Sequence, residues 1–319
     1  MSSLEDLIDC PPPARERPDL AESINARLLD WAKEIEIYKN ELPRLHSCNL
    51  GSLVVLTQPN SDDADRLFAA AQCAAAGFAL DDYYTDDFTV NTRLTAIKVF
   101  LSQSSLDPAC LPPPYAGHYQ TALTQEPILR AWRSAMDHLA SYATAAQMHR
   151  FRHENANLCA AVCAEAAWRL QRQPPATWLY LASRQINSFM TSMSLIDVID
   201  GYELPTSVYA HPKVRQTMAW AANAATLIND LYSTSKESRE PGTTFNLPTL
   251  IAAEKGWSRE ASLRHCIKIH NQMVRAFKSD AAKLASMADP DLHRFLKGLW
   301  SWMRGNKAWH SMTPRYSET

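Results

Sequence analysis

The nine residues NDLYSTSKE, at 229–237, place an amide, a hydroxyl and a carboxylate at Asn229, Ser233 and Glu237, each four positions after the last. Such positions stack on one helical face, drifting by roughly 40° per step and rising about 12 Å in all. All three offer hard oxygen donors, the kind that suit Mg²⁺. Lys236, seven residues after Asn229, returns to within about 20° of the same face, where its ammonium could meet a phosphate oxygen. A second oxygen-rich stretch, DDYYTDD at 81–87, supplies Asp81, Asp82, Asp86 and Asp87. On a helix Asp82 and Asp86 lie one turn apart, with Asp81 about 100° round from Asp82. Like charges so placed destabilise a helix by roughly 0.2–0.5 kcal/mol per pair. At a C-terminal helix end they also oppose the macrodipole, and a cation would offset both effects. Mg²⁺ typically takes one or two carboxylates and completes its shell with water or substrate phosphate oxygens. Two such motifs on separate helices therefore fit a metal shared with a diphosphate, although either one alone could be a solvated helix face.

The elements that carry these motifs read as helices. Only eight glycines occur, with no GxGxxG and no GxxxxGK[ST], so nucleotide cradles of the Rossmann and P-loop kinds are excluded. Nineteen prolines punctuate the chain, with clusters at CPPP (10–13), LPPP (111–114) and QPP (173–175). The intervals between them are rich in Ala, Leu, Met, Gln, Glu and Arg, good helix formers. Helices are expected around 61–87, 127–145, 147–171, 176–199, 211–238, 258–287 and 290–309, and no alternating β-branched run is present. The fold class expected is all-α, a helical bundle around a central hydrophobic pocket. No Gly/Ser-rich linker or repeat divides the chain, so residues 19–319 read as one domain, and residues 1–18, with four prolines, as a mobile or partly disordered strap.

Composition narrows the partners. A formal net charge of −2, from 32 basic and 34 acidic residues, gives no nucleic-acid or membrane-surface footprint. The apolar stretch LFAAAQCAAAGFAL at 67–80 has the length of a buried helix and not of a membrane span. Seven scattered cysteines without a CxxC pair read as reduced thiols, and the acidic N-terminus lacks an apolar signal core, which together point to the cytoplasm. His265, Cys266 and His270 do not make a zinc set, because His265 and His270 diverge by about 140° on a helix.

With these motifs in order, the chain resembles the class I terpene cyclases. Two further matches support the resemblance: Arg184 in YLASRQINSF, 45 residues before Asn229, and Arg315–Tyr316 near the C-terminal end. A finer resemblance, to the bacterial 2-methylisoborneol synthases and their 2-methylenebornane-forming relatives, rests on CPPP, LDDYYTDD (80–87), RQINSF (184–189), VIDGYELP (198–205), NDLYSTSKE and FNLPTLIAAEKG (245–256). The resemblance implies three Mg²⁺ held by Asp81 or Asp82, Asp86, Asn229, Ser233 and Glu237. It also implies a diphosphate bound by Arg184, Lys236, Arg315 and Tyr316. With three residues between Asp82 and Asp86, which of Asp81 and Asp82 ligates stays open. Asn187 and Ser188 stand where many relatives have an acid and a glycine.

The implied reaction is ionisation of 2-methylgeranyl diphosphate, supplied by a separate methyltransferase, and cyclisation to a bornane-type product. The allylic cation would have to be recaptured by diphosphate and rotate before ring closure. A cation of this kind needs an apolar pocket with ring faces. Phe78, four residues before Asp82 on the same face, is a candidate wall, with Phe189 and Trp309 as further candidates. Rival expectations are a cyclase of geranyl or farnesyl diphosphate and, from another class, a non-catalytic helical adaptor. A homodimer is an open option.

Overall fold

The structure is a computed structural model that describes residues 2–82, 99, 111–171, 173–237, 245–287 and 289–316. Among the described residues the fold is all-α, with twelve helices of seven residues or more. They are α1 (Pro18–Ile35), α2 (Leu42–Cys48), α3 (Leu50–Thr57), α4 (Ala64–Leu80), α5 (Pro113–Gln125), α6 (Pro127–Ala140), α7 (Ala145–Gln171), α8 (Thr177–Ser183), α9 (Pro212–Glu237), α10 (Leu247–Lys255), α11 (Arg259–Leu284) and α12 (Pro290–Met312). None is long and apolar enough to cross a membrane.

Local signals set many of the ends. Prolines occupy the first turns of α1, α2, α5, α6, α10 and α12, where a missing N–H costs nothing. Asp63, Asn246, Ser258 and Asp289 accept backbone N–H groups as N-caps of α4, α10, α11 and α12. Gly256, at φ 65°, ends α10 in the left-handed region that glycine adopts without a Cβ penalty.

Helix α3 is buried at every position and is covered by α1, α4 and α12. Its neighbours come close enough that backbone meets backbone. A Cβ on Gly305 of α12 would sit 2.2 Å from the Leu56 carbonyl oxygen of α3, and one on Gly51 the same distance from the Ala21 carbonyl oxygen of α1. Helix α9, which carries the Asn/Ser motif, packs on α11 and α12.

Two expectations change. The stretch 176–199 is not one helix: after α8 come two short helical turns, Met190–Met193 and Ile196–Ile199. The break lies at RQINSF, where polar side chains compete for the backbone. Arg184 Nη1 donates to the Asn187 carbonyl at 3.4 Å, and Ser188 Oγ accepts the Met190 N–H at 3.2 Å. The strap is also tied down: Asp9 N donates to Asn271, Asn271 to the Leu7 carbonyl, Lys307 to the Cys10 carbonyl and Arg304 to the Pro12 carbonyl. Helices α1 to α3, α5 and α10 were not anticipated.

The α3–α12 contact gives a stability prediction. Gly305→Ala should lower the unfolding free energy by about 1–3 kcal/mol, since no flexible side chain can move aside. Urea melts should show a lower midpoint at unchanged slope.

Candidate active site

A cavity of about 530 Å³ opens between α3, α4, α7, α9, the 184–195 segment and α12. Leu53, Val54, Phe78, Trp132, Phe151, Leu158, Val162, Phe189, Leu195 and Trp302 supply apolar wall. Asp81, Asp82, Arg44, Arg315, Arg184, Asn229 and Ser233 line it too. Residues drawn from both motifs therefore face one space. The Asp81 side chain is 54% exposed and marks the mouth.

Asp82, buried at the end of α4, is held from three sides. Arg315 grips it with both terminal nitrogens, at 2.7 and 3.1 Å; Arg44 Nη2 lies 2.8 Å away, and the Tyr38 hydroxyl donates at 2.7 Å. Burial pushes the carboxyl pKa up, but Arg315, the Tyr38 hydrogen bond and Arg44 outweigh it and hold it below the usual range. Arg315 also lies over the Phe78 ring, 4.8 Å from its centroid.

Across the cavity, Arg184 at the end of α8 pairs with Asp230 of α9. The Tyr180 hydroxyl donates to the same carboxylate at 2.8 Å and Leu247 N at 3.2 Å. Burial lowers the Arg184 pKa, yet Asp230, Tyr180 and Glu165 together raise it well above the ordinary value, so the cation is fixed. Arg184 Nε is buried without a hydrogen-bond partner. Asn187 Nδ2 donates to Glu165 at 2.8 Å, and Glu165 in turn pairs with Arg169 at 2.6 Å; all line the cavity.

One helical turn separates Asn229 from buried Ser233, whose hydroxyl makes a long 3.5 Å contact with the Asp230 carbonyl. Asn229 Nδ2 lies 3.2 Å from His310 Nε2, and His310 Nδ1 lies 2.8 Å from the Asn306 carbonyl. That carbonyl can only accept, which assigns the proton to Nδ1 and leaves Nε2 to accept from the Asn229 amide. The amide oxygen is then turned away from His310.

Of the expected residues, Asp81, Asp82, Asn229, Ser233, Arg184, Arg315, Phe78 and Phe189 meet at the cavity. Trp309 stands behind Phe78, edge to face at 5.9 Å, with its indole N–H on the Cys48 and Asn49 carbonyls. Asp86 and the side chains of Lys236, Glu237 and Tyr316 lie outside the described residues. Sequence reasoning missed Tyr38, Arg44, Asp230, Trp132, Phe151, Trp302 and His310. Two signals were present: Trp302 precedes Trp309 by seven residues, hence on one face, and Asp230 sits inside the motif itself.

The model of terpene synthase family 2, C-terminal metal binding, matches residues 72–276. The chain belongs to the terpene synthases. This terpene synthase is 37% identical over 315 residues to the 2-methylisoborneol synthase of Saccharopolyspora erythraea, covering 97% of this chain and 89% of that one. It is 27% identical over 323 residues to the (+)-T-muurolol synthase of Streptomyces clavuligerus, a farnesyl diphosphate cyclase, covering 97% of this chain and 72% of that one. Its fold superposes on the crystal structure of the 2-methylisoborneol synthase from Streptomyces coelicolor A3(2) in complex with Mg²⁺ and 2-fluoroneryl diphosphate, with a TM-score of 0.93, 30% identity and 98% of each chain covered. The all-α fold and the enzyme class, a class I terpene synthase, stand as expected.

Burial pushes the His310 pKa from 6.5 down to about 3. The native state refuses a proton that the unfolded chain takes, so this contribution to stability is complete above about pH 6.5 and is lost as pH falls toward about 3. His310→Gln should remove up to about 1.4 kcal/mol per pH unit from the slope of stability across that window, measured by urea melts.

Proposed function

We propose that this terpene synthase ionises 2-methylgeranyl diphosphate and cyclises it to a bornane-type product, 2-methylisoborneol or 2-methylenebornane, with release of diphosphate. The observation that carries the reading is the meeting of Asp81, Asn229, Ser233, Arg184 and Arg315 on one cavity whose wall also includes the aliphatic and aromatic side chains of Leu53, Val54, Phe78, Phe151, Leu195 and Trp302. Greater identity to 2-methylisoborneol synthase than to the farnesyl diphosphate cyclase supports the shorter substrate. In this reading the enzyme works in the cytoplasm, downstream of a methyltransferase that makes the methylated prenyl diphosphate.

The cofactor is Mg²⁺, and the donors present suit it, being carboxylate, amide and hydroxyl oxygens with no thiolate or imidazole among them. Asp81 and Asp86 on one side and Asn229, Ser233 and Glu237 on the other would hold three ions. Asp82 is committed to Arg315, Arg44 and Tyr38, which favours Asp81 as the ligand of the pair. Bound Mg²⁺ acts as a Lewis acid on the diphosphate oxygens.

The chain's own residues do the rest. Arg184, Arg315, Lys236 and Tyr316 take the charge that develops on the leaving diphosphate and keep that anion in place, so that it can recapture the allylic cation at its tertiary carbon. Rotation and reionisation then allow ring closure. Phe78 and Phe189 offer ring faces to the cation, worth about 0.5–2 kcal/mol each. The wall keeps bulk water from quenching it early.

Asp81→Asn should reduce kcat by about 10²–10³-fold and raise the Mg²⁺ requirement while leaving the melting temperature near wild type, because the side chain is half-exposed. Asp82→Asn should lose about 3–5 kcal/mol of stability as well, through uncompensated Arg315 and Arg44. Purified protein with Mg²⁺ and each of geranyl, 2-methylgeranyl and farnesyl diphosphate, with volatiles identified by mass spectrometry, tests the substrate. Preferred turnover of the geranyl or farnesyl compound would replace it, and no diphosphate release from any of the three would favour the adaptor.

A further inference from the structure

Most of the polar side chains in the cavity wall have their hydrogen bonds accounted for. The Thr57 and Thr226 hydroxyls donate back to the Leu53 and Ala222 carbonyls of their own helices, at 2.7 and 2.8 Å. Two are different. Asn155 of α7 is 0% exposed and donates through Nδ2 to the Phe151 carbonyl at 3.2 Å, while its Oδ1 has no partner. Thr191, 8% exposed in the Met190–Met193 turn, has no partner for Oγ1. The turn and α7 pack on each other, and both residues line the cavity. A buried polar group without a partner costs about 1–3 kcal/mol, so two in one pocket call for a ligand that meets them.

We infer that Asn155 Oδ1 and Thr191 Oγ1 bind the water molecule that ends the reaction by attacking the final carbocation. This rests on the bornane-forming reading and decides within it for the alcohol. Oδ1 is an acceptor only, and a threonine oxygen can accept as well. A water whose two hydrogens point at these two oxygens turns its lone pairs to the cavity. Attack forms one C–O bond to the tertiary bornyl carbon. The resulting oxonium loses one O–H proton to the diphosphate ion already released, and no redox partner is needed. Without the anchored water the same diphosphate takes a C–H proton next to the cation, leaving the exocyclic alkene. Two polar atoms thus choose between two products of one cation, a choice that a difference of about 1.4 kcal/mol moves tenfold.

The test gives the full-length enzyme Mg²⁺ and 2-methylgeranyl diphosphate in ¹⁸O-water, following diphosphate release and the ratio of alcohol to hydrocarbon. The ratio is read within each variant's own products, so a slower enzyme does not blur it. Wild type should give mainly labelled alcohol. Thr191→Val, which removes only the hydroxyl, and Asn155→Leu should each lower the ratio about tenfold or more, and Thr191→Ser should keep it. If Asn155→Leu fails to fold, the Thr191 pair still decides. A wild-type ratio retained in Thr191→Val, or a wild type that releases diphosphate and makes only hydrocarbon, would overturn the water site and leave the bornane reading intact. A wild type that releases no diphosphate from this substrate would remove both.

Discussion

A guanidinium can be buried only beside a compensating carboxylate, and the two arginines expected to bind diphosphate both obey that constraint. Arg315 is held by Asp82 and Arg184 by Asp230. Each pair joins parts of the chain far apart in sequence: Asp82 follows α4 while Arg315 follows α12, and Arg184 caps α8 while Asp230 lies in the last third of α9. The pairs therefore do two things at once. They hold positive charge at the cavity before any anion arrives, and they tie helices together at the wall where the proposed metal donors stand. Truncating one partner leaves the other charge buried, which is why such pairs cost more to break than they contribute when intact.

The rest of the molecule supplies what that charge arrangement requires, a rigid apolar chamber beside it. Close approach of α12 to α3 at Gly305, and of α3 to α1 at Gly51, brings the wholly buried α3 hard against its neighbours. The wall that α3 presents through Leu53 and Val54 is consequently fixed. Phe78 connects the two regions, since its ring meets the Arg315 guanidinium and rests on Trp309 behind. Aromatic faces and cationic groups thus share one support, and a shift in either would be felt by both.

The legibility of this arrangement in the sequence follows the range of each interaction. Asn229 and Ser233 were readable because helical period alone puts them on one face. Asp230, one position further on, was not, because its role depends on Arg184, Tyr180 and Leu247 brought to it by other helices. Choosing between Asp81 and Asp82 was beyond period or propensity. The difference lies in Tyr38 and Arg44, and Tyr38 sits at a positive φ of 52° in a segment with no glycine to announce it. Composition made the bundle plain, yet 176–199 read as continuous helix because nothing in it breaks a helix by propensity. The break comes from arginine and serine side chains taking up the backbone. Helices α1 and α2 hid for the opposite reason, as the prolines that open them read as loop.

Arg184 also shows how an anion would be felt beyond the point where it binds. Asp230 takes one terminal nitrogen, the Asn187 carbonyl lies at 3.4 Å from the other, and Nε is buried without a partner. A guanidinium has five donors, so this one is under-satisfied, and a diphosphate oxygen gains most where donors are already desolvated. Its second contact is the backbone of the segment that leads through Ser188 and Phe189 to Thr191, all of which line the cavity. In the proposed reading, an anion at Arg184 would compete with the carbonyl of Asn187, whose side chain is fixed to Glu165 on α7. Under the proposed function, leaving-group recognition and the shape of the cation's surroundings would therefore share one segment of the cavity wall.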